Sequence, residues 1–454
     1  MIKFIDMNVH NSYILTIMNV HEINRSLLLG LGSLEPLLPN WFGLKSSRIC
    51  FPIHFGLETM PEDPGLLVIR GARQYGKSTW LEGEIVKSFD TYGPGTTFYL
   101  NGDRIADNQE LELEIARLVR QFSPTAKVKR IFIDEISAIE NWQNAIKILW
   151  DSGLTRQVLI VTTGSKATDL RRGAEMLPGR KGTLERSNYL FTPLSFGNFY
   201  REATSYLDSK EDAIAAYILS GGSPLCCQTL LTTGHIPPYL IQMVKDWILG
   251  SFATAGRARA NVISMIDSLC RFAMNPTSQD KIARESGLAN NTSTAQYVEQ
   301  LMDLLCLAQA DNYDPQKNRR NVRKPAKYHF VNTLVPVAFG CDELSSVANF
   351  KALTSTQRGK WFEWIVAQEL WRRDAIRGVE NPEFMRFWQS KTNEIDFLSP
   401  REGYIEVKSG PIDPRDFDWF NLSFPKQKLT VIGDQTAAFG KINCMSLFDF
   451  LNQL

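Results

Sequence analysis

Residues 71–78 read GARQYGKS, and what lies on either side decides the meaning of that stretch. Before it runs LLVIR (66–70), a short apolar strand; after it, KSTWLEGEIVKSFD (77–90) reads as a helix. A strand, a GxxxxGK[ST] turn and a helix together make a phosphate cradle. The glycines let the backbone curl so that successive N–H groups and the helix N-terminus face phosphate oxygens. In that cradle Lys77 reaches toward the β- and γ-phosphates of ATP, and the Ser78 hydroxyl toward Mg²⁺. Gly71, Arg73, Gln74, Tyr75, Gly76 and Thr79 complete the candidate nucleotide-binding set.

Working outward, short apolar runs alternate with amphipathic segments. TTFYL (96–100), RIFI (130–133) and VLIVTTG (158–164) read as strands, with a fifth expected in YLFTPLSF (189–196). ELELEIARLVRQF (110–122) and NWQNAIKILWDSG (141–153) read as the intervening helices. That alternation implies an α/β unit with a parallel sheet covered on both faces. The RIFI strand ends in Asp134 and Glu135. Carboxylates at the C-terminal end of a parallel strand lie at the ligand-binding edge of the sheet. Asp134 is the candidate magnesium ligand and Glu135 the candidate general base that polarises the attacking water, which points to ATP hydrolysis. Thr163 and Ser165 close the fourth strand, where a hydroxyl could sense a γ-phosphate; a threonine there also reads as a turn cap. Arg180, in LPGR, is a candidate arginine finger on a neighbouring subunit's nucleotide, and would require a homo-oligomer; a loop arginine also reads as merely solvated.

Beyond Phe196 the chain is mainly helical to about residue 310. SQDKIARESGL (278–288) and TSTAQYVEQLMDLLCLAQ (292–309) read as two helices, followed by a polar, basic stretch between expected strands, the order of a winged helix-turn-helix. Lys317, Arg319, Arg320, Arg323, Lys324 and Lys327 fall in that stretch with no acid among them. As a hairpin wing they suit contact with DNA or another nucleic acid; the competing reading is a solvated loop. The last hundred residues return to mixed α/β. Glu363 lies on an expected helix, Asp396 ends EID, and Glu406-Val407-Lys408 lies on the next strand, with Glu406 and Lys408 on one face. Two acids on adjacent strands, Asp396 and Glu406, can hold a divalent metal while Lys408 positions a hydroxide for phosphodiester attack. Acid and lysine alternating on an exposed strand would look the same.

The phosphate loop, IFIDEI, NWQNAIKILWDSG, VLIVTTGS, PGR and TPLSFGNF, in this order, resemble the prokaryotic AAA-type P-loop ATPases whose loop reads GPRQ-x-GK[ST]T; Ala72 replaces their usual proline. The resemblance implies an AAA-like ATPase core with strand order 5-1-4-3-2, followed by a winged helix and a C-terminal domain. For that domain, Glu363, Asp396, Glu406 and Lys408 resemble the PD-(D/E)xK restriction-endonuclease-like fold. The expected organisation is an N-terminal extension (1–48), the ATPase core (49–200), a helical lid (201–255), a winged helix (256–340) and the nuclease-like α/β domain (341–454). Nucleotide state would then regulate nucleic-acid engagement or cleavage. The alternative is a nucleotide-controlled DNA-binding or protein-interaction switch with an inert nuclease fold.

Composition bounds these readings. A chain of 454 residues with 44% hydrophobic and 22% charged residues has material for several cores. The formal net charge of +1 excludes a global polycation, so any basic surface is local. Seven cysteines without a CxxC pair argue against a disulfide framework or structural zinc. No apolar run approaches the ~18–20 residues of a membrane span, and the N-terminus lacks the pattern of a signal peptide, so the expected location is the cytoplasm.

Overall fold

The computed structural model describes residues 19–453 apart from 166–169, 172, 174, 322, 411 and 435. The first eighteen residues of the expected N-terminal extension thus lie outside the described residues. The chain divides into two compact units: residues up to Cys50 with Phe55–Phe191, and Phe51–His54 with Thr192–Leu454.

The first unit is built on five strands: β1 (Gly65–Gly71), β2 (Thr97–Asn101), β3 (Arg130–Asp134), β4 (Leu159–Gly164) and β5 (Asn188–Phe191). Their spatial order is β2-β3-β4-β1-β5, with every pair parallel, which is the expected 5-1-4-3-2 order read from the other edge. The apolar runs that marked the strands are buried on both faces, as a parallel sheet demands. Helices α3 (Lys77–Tyr92), α4 (Asn108–Val119) and α5 (Trp142–Asp151) follow β1, β2 and β3. Leu111, Ile115 and Leu118 of α4 and Trp142, Ile146 and Leu149 of α5 pack with Phe98, Ile131, Ile133 and Ile160 of the sheet. The fifth strand is shorter than YLFTPLSF. It stops at Phe191, before Pro193, and a helix begins at Phe196 with the Ser195 hydroxyl accepting from the Asn198 amide.

Helices α1 (Asn19–Leu29) and α2 (Pro39–Ser46) precede the sheet. Strand β2 is an edge strand, and Asn24 of α1 treats it as one. The Asn24 side-chain amide donates to the Tyr99 carbonyl at 2.8 Å, and the Tyr99 amide donates to Asn24 Oδ1 at 2.8 Å. One side chain thereby satisfies both backbone groups that the edge would leave unpaired. Replacing Asn24 with Ala is expected to destabilise this unit by about 1–3 kcal/mol, the cost of leaving a partly buried amide and carbonyl unpaired, measurable by urea denaturation.

The second unit opens with helices α6 (Phe196–Ala203), α7 (Lys210–Ser220), α8 (Pro224–Thr233), α9 (Pro238–Thr254), α10 (Arg259–Arg271), α11 (Gln279–Ser286) and α12 (Asn291–Asp303). The apolar run MDLLCLAQ was expected to continue the last of these. Instead α12 ends at Asp303, Leu305 takes φ 58°, and the chain turns into β6 (Leu307–Asp314). A short apolar run fits a buried helix or a buried strand equally well, and here sheet pairing decided it. Strand β6 pairs antiparallel with β7 (Arg319–Arg320) and β8 (Lys327–Phe330), and parallel with β9 (Phe384–Gln389). Strand β9 in turn carries β10 (Glu394–Ile395). The β6–β9 ladder therefore runs across position 340 and ties the two segments together.

A third sheet has the order β11-β12-β13-β15-β14, formed by Phe397–Ser399, Gly403–Val407, Leu429–Gly433, Ile442–Ser446 and Ala437–Phe439 respectively. Helix α13 (Ser355–Ile376) starts with a capping box, Thr354 accepting from the Gln357 amide and Gln357 from that of Thr354. It buries Trp361, Trp364 and Trp371, and is covered on nearly every side, so it acts as the central helix of this region. At its start, Ser355 and Ser409 exchange hydrogen bonds of 2.6 and 2.8 Å, which hold the end of β12 against the first turn of α13. Among the described residues, no helix is long and apolar enough to cross a membrane.

Candidate nucleotide site and a second carboxylate cluster

The loop 71–78 curls as its glycines require. Gly76 caps α3 with φ 96°, a conformation that strains any residue with a Cβ, and Gln74 also takes a left-handed φ of 65°. Lys77 is 7% exposed. Its ammonium donates to the carbonyls of Gly71 (2.9 Å) and Ala72 (2.8 Å). Burial pulls its pKa down to about 8, against the opposing pull of Glu135 and Asp134.

Both acids expected at the end of β3 face this loop. Ser78 stands near enough to Asp134 to favour its charged form, and the Thr163 hydroxyl donates to Asp134 Oδ1. Burial raises the Asp134 pKa, while Thr163 and Ser78 oppose the rise. Glu135 sits at φ 52°, in the left-handed region, and its Oε1 accepts from Ser137 Oγ (2.8 Å), Ser165 N (2.9 Å) and Ser165 Oγ (2.7 Å). Burial pushes this carboxyl up, but Lys77 and the serine bonds outweigh it and hold the group below its ordinary range. Arg73 Nε donates to Ser165 Oγ at 3.3 Å. Thr163 and Ser165, expected as phosphate sensors, thus serve in this state as anchors for the two acids. Ser137 was missed from the sequence. Its position two residues after Glu135, at a strand-to-helix turn where serine bonds locally, was the available signal.

The hard oxygens of Ser78 and Asp134 suit Mg²⁺, whose preference is for carboxylate, hydroxyl and phosphate ligands. Arg180 lies elsewhere. The Leu66 amide donates to the Lys181 carbonyl (3.3 Å) and Gly65 bridges Gly182, so this loop sits at the start of β1 whereas the phosphate loop sits at its end. The separation is roughly 20 Å along a seven-residue strand. Arg180 instead grips Asp151 through Nε–Oδ1 (2.9 Å) and Nη2–Oδ2 (3.0 Å) on the exposed surface. It does not join the nucleotide site of its own chain.

Of the six basic residues expected in the wing, Lys317, Arg319, Arg320, Arg323 and Lys324 are exposed. Acids on β6 answer two of them: Arg320 pairs with Asp311 at 3.1 Å and Lys317 with Asp314 at 3.9 Å. Lys327 requires a correction. It lies on β8, is 1% exposed, and its ammonium contacts Asp396 Oδ1 (2.8 Å), Glu363 Oε1 (3.2 Å) and Glu394 Oε1. A side chain so enclosed does not touch nucleic acid.

The four residues expected as a second site do converge around this ammonium. Glu363 comes from α13, Asp396 from the link between β10 and β11, and Glu406 from β12, with Lys408 just beyond it. Asp396 Oδ2 accepts from the Val407 amide (2.9 Å), Glu406 Oε2 from the Asp396 amide (3.3 Å) and Glu406 Oε1 from Lys408 (2.6 Å). Burial lifts the Glu363 and Glu406 pKa values to about 8. Asp396 is equally buried, but the Lys327 charge overcomes burial and holds it below the usual carboxylate range. The expected metal at Asp396 and Glu406 does not fit this arrangement, because the cation at the centre is Lys327 and the carboxylate oxygens are already engaged. Among the described residues, no group of three or more His, Cys, Asp or Glu is placed to hold a metal ion. Glu394 and His329 were not anticipated. Each stands two residues from a cluster member on a strand, Glu394 from Asp396 and His329 from Lys327, so the alternation of side chains was the signal.

Residues 63–200 match the model of a family described as AAA domain. That segment is a AAA-type P-loop ATPase domain. Among curated proteins, no match is found. Solved structures resemble the chain more distantly. A Walker-type ATPase of Pyrococcus abyssi aligns at 13% identity over 63% of this chain and 92% of its own, with a TM-score of 0.42. The Orc1 protein of Aeropyrum pernix, in complex with DNA, aligns at 11% identity over 62% and 87%, with a TM-score of 0.31. AMPPCP-bound DnaA from Aquifex aeolicus aligns at 10% identity over 62% and 92%, with a TM-score of 0.27. At these scores the likenesses carry no weight for the reading of the site.

Proposed function

We propose that this chain is an ATP-driven switch: its AAA domain binds and hydrolyses Mg·ATP, and the nucleotide state governs engagement of nucleic acid by the second unit. The observation that carries the first half is the meeting of Lys77, Ser78, Asp134 and Glu135 at one end of the sheet. Ser78 and Asp134 would hold the magnesium ion, which supplies charge neutralisation at the β- and γ-phosphates when bound. Lys77 leaves its carbonyl partners for the phosphate oxygens, and Glu135 orients a water and accepts its proton. A finger role for Arg180 then belongs to the nucleotide of a second copy, after release from Asp151.

For the second half, α10, α11 and α12 followed by β6, a basic turn and β8 have the order of a winged helix, with Arg319, Arg323 and Lys324 exposed at the turn. Helix α13 with the β11-to-β15 sheet, and Glu363, Asp396, Glu406 and Lys408 brought together, support a restriction-endonuclease-like domain. Lys327 at its centre favours the reading in which that domain does not cut as it stands.

The two halves are tested separately. Phosphate release from ATP without an added acceptor, abolished by Lys77→Ala, tests the first. For the second, changing Arg319, Arg323 and Lys324 together to Ala should flatten the slope of log K against log salt for duplex DNA by about 2–3, since each phosphate contact contributes ~0.9. Fluorescence anisotropy measures it, and an unchanged slope would remove the turn from the interface.

A further inference from the structure

Three buried acids and a half-buried fourth stand around one cation, and the structure provides it from an unexpected place. Glu363, Glu394, Asp396 and Glu406 arrive from the helix and strands of the C-terminal region. The ammonium that three of them share comes from β8, in the hairpin that follows α12. Asp396 and Glu406 border a cavity of about 420 Å³ that Thr392, Asn393 and Trp419 also line, so a path leads from solvent to the acids.

A second observation points into the same place. The His329 ring is fully buried two residues along β8, and among the described residues neither of its nitrogens has a hydrogen-bond partner. Nδ1 stands 3.5 Å from Glu363 Oε1. A buried imidazole without a hydrogen-bond partner is costly, so its place beside the cluster calls for an explanation. Carboxylate oxygens of Glu363, Glu394 and Asp396 converge on the Lys327 ammonium, so the place that a divalent ion would need among them is taken by a cation of the chain itself.

We propose that the Lys327 ammonium is a tethered stand-in for a divalent cation, occupying the centre of this cluster and keeping metal out for as long as β8 holds it there. The exposed basic turn leads directly into β8. This stands on the geometry of the cluster and deepens the reading of a domain that does not cut as it stands; because metal binding is measured without nucleic acid, its failure is distinguishable from failure of the nucleic-acid reading.

The test is titration of nucleotide-free, full-length protein with Mn²⁺, followed by electron paramagnetic resonance and by the shift in melting temperature. Wild type and Asp396→Asn should behave alike, showing no site that depends on Asp396. Lys327→Met should gain such a site, with affinity raised about tenfold or more over wild type once the competing charge is gone, and Lys327→Met combined with Asp396→Asn should lose it again. Because Lys327→Met leaves acids uncompensated, Lys327→Met with Glu363→Gln is made in parallel, which leaves the local formal charge unchanged. An Asp396-dependent Mn²⁺ site already present in wild type would overturn the proposal. So would the failure of Mn²⁺ either to bind or to raise the melting temperature in both Lys327 variants.

Discussion

ATP turnover in the Lys77→Ala chain should fall by about 10²–10³-fold, to background, because a preorganised charge aimed at the transferring phosphate is removed from a site with few alternatives. The geometry explains why no neighbour substitutes. Lys77 is held by two carbonyls of its own loop, Gly71 and Ala72, so its ammonium is already within the cradle before nucleotide arrives. Arg73 is turned toward Ser165, and Arg180 is at the far end of β1. A steady-state phosphate-release assay decides the matter, and unchanged turnover would defeat the assignment of the loop. The same lysine gives the site a pH signature. Its folded pKa of about 8 means that in the nucleotide-free protein it is half deprotonated near that pH and mostly neutral above it. A triphosphate binds the protonated form, so nucleotide affinity should hold below pH 8 and fall by up to about tenfold per pH unit above it, with proton uptake on binding. Calorimetry in buffers of different ionisation heat reads that uptake directly.

Glu135→Gln should retain nucleotide binding while losing about 10²–10⁴-fold in hydrolysis, the range assigned to a positioned proton acceptor. The structure stores effort in this residue. Its backbone adopts a left-handed conformation that costs a non-glycine residue free energy, and three donors from Ser137 and Ser165 fix one carboxylate oxygen. Lys77 and these donors keep the group ionised, ready to accept a proton. Glutamine preserves the shape but cannot take the proton. A single-turnover experiment should therefore show ATP bound and unhydrolysed; cleavage at the wild-type rate would transfer the role to another group.

The convergence of the candidate nucleotide-site residues was legible in the sequence because its parts are local. A Gly-rich turn between strand and helix, and an acid pair at a strand end, need only the parallel sheet to bring them together, and the order of apolar runs already implied that sheet. Thr163 and Ser165 were placed correctly at the end of β4, but their partners depend on β3 lying beside β4, and so their hydrogen bonds to the acids were not readable. The location of Arg180 turns on one long-range bridge, Gly65 to Gly182, that no local pattern announces. Lys327 was read with its basic neighbours because a run of charge looks like a solvated loop. What buries it is the pairing of β8 and β9 on β6 and the arrival of α13, contacts separated by dozens of residues. The helix expected through 309 failed for a related reason, since an apolar segment obeys whichever partner it finds.

The ladder between β6 and β9 has a consequence for how this protein can be cut into pieces. Gln309 to Asn312 take their partners from Phe384 to Phe387, so a fragment ending near residue 340 keeps β6 but strips one side of it bare. Such a fragment presents an open, partly apolar strand edge that invites pairing with other copies, and precipitates as the price of its freedom. The hairpin and the C-terminal strands that shield it are one inheritance, made and lost together.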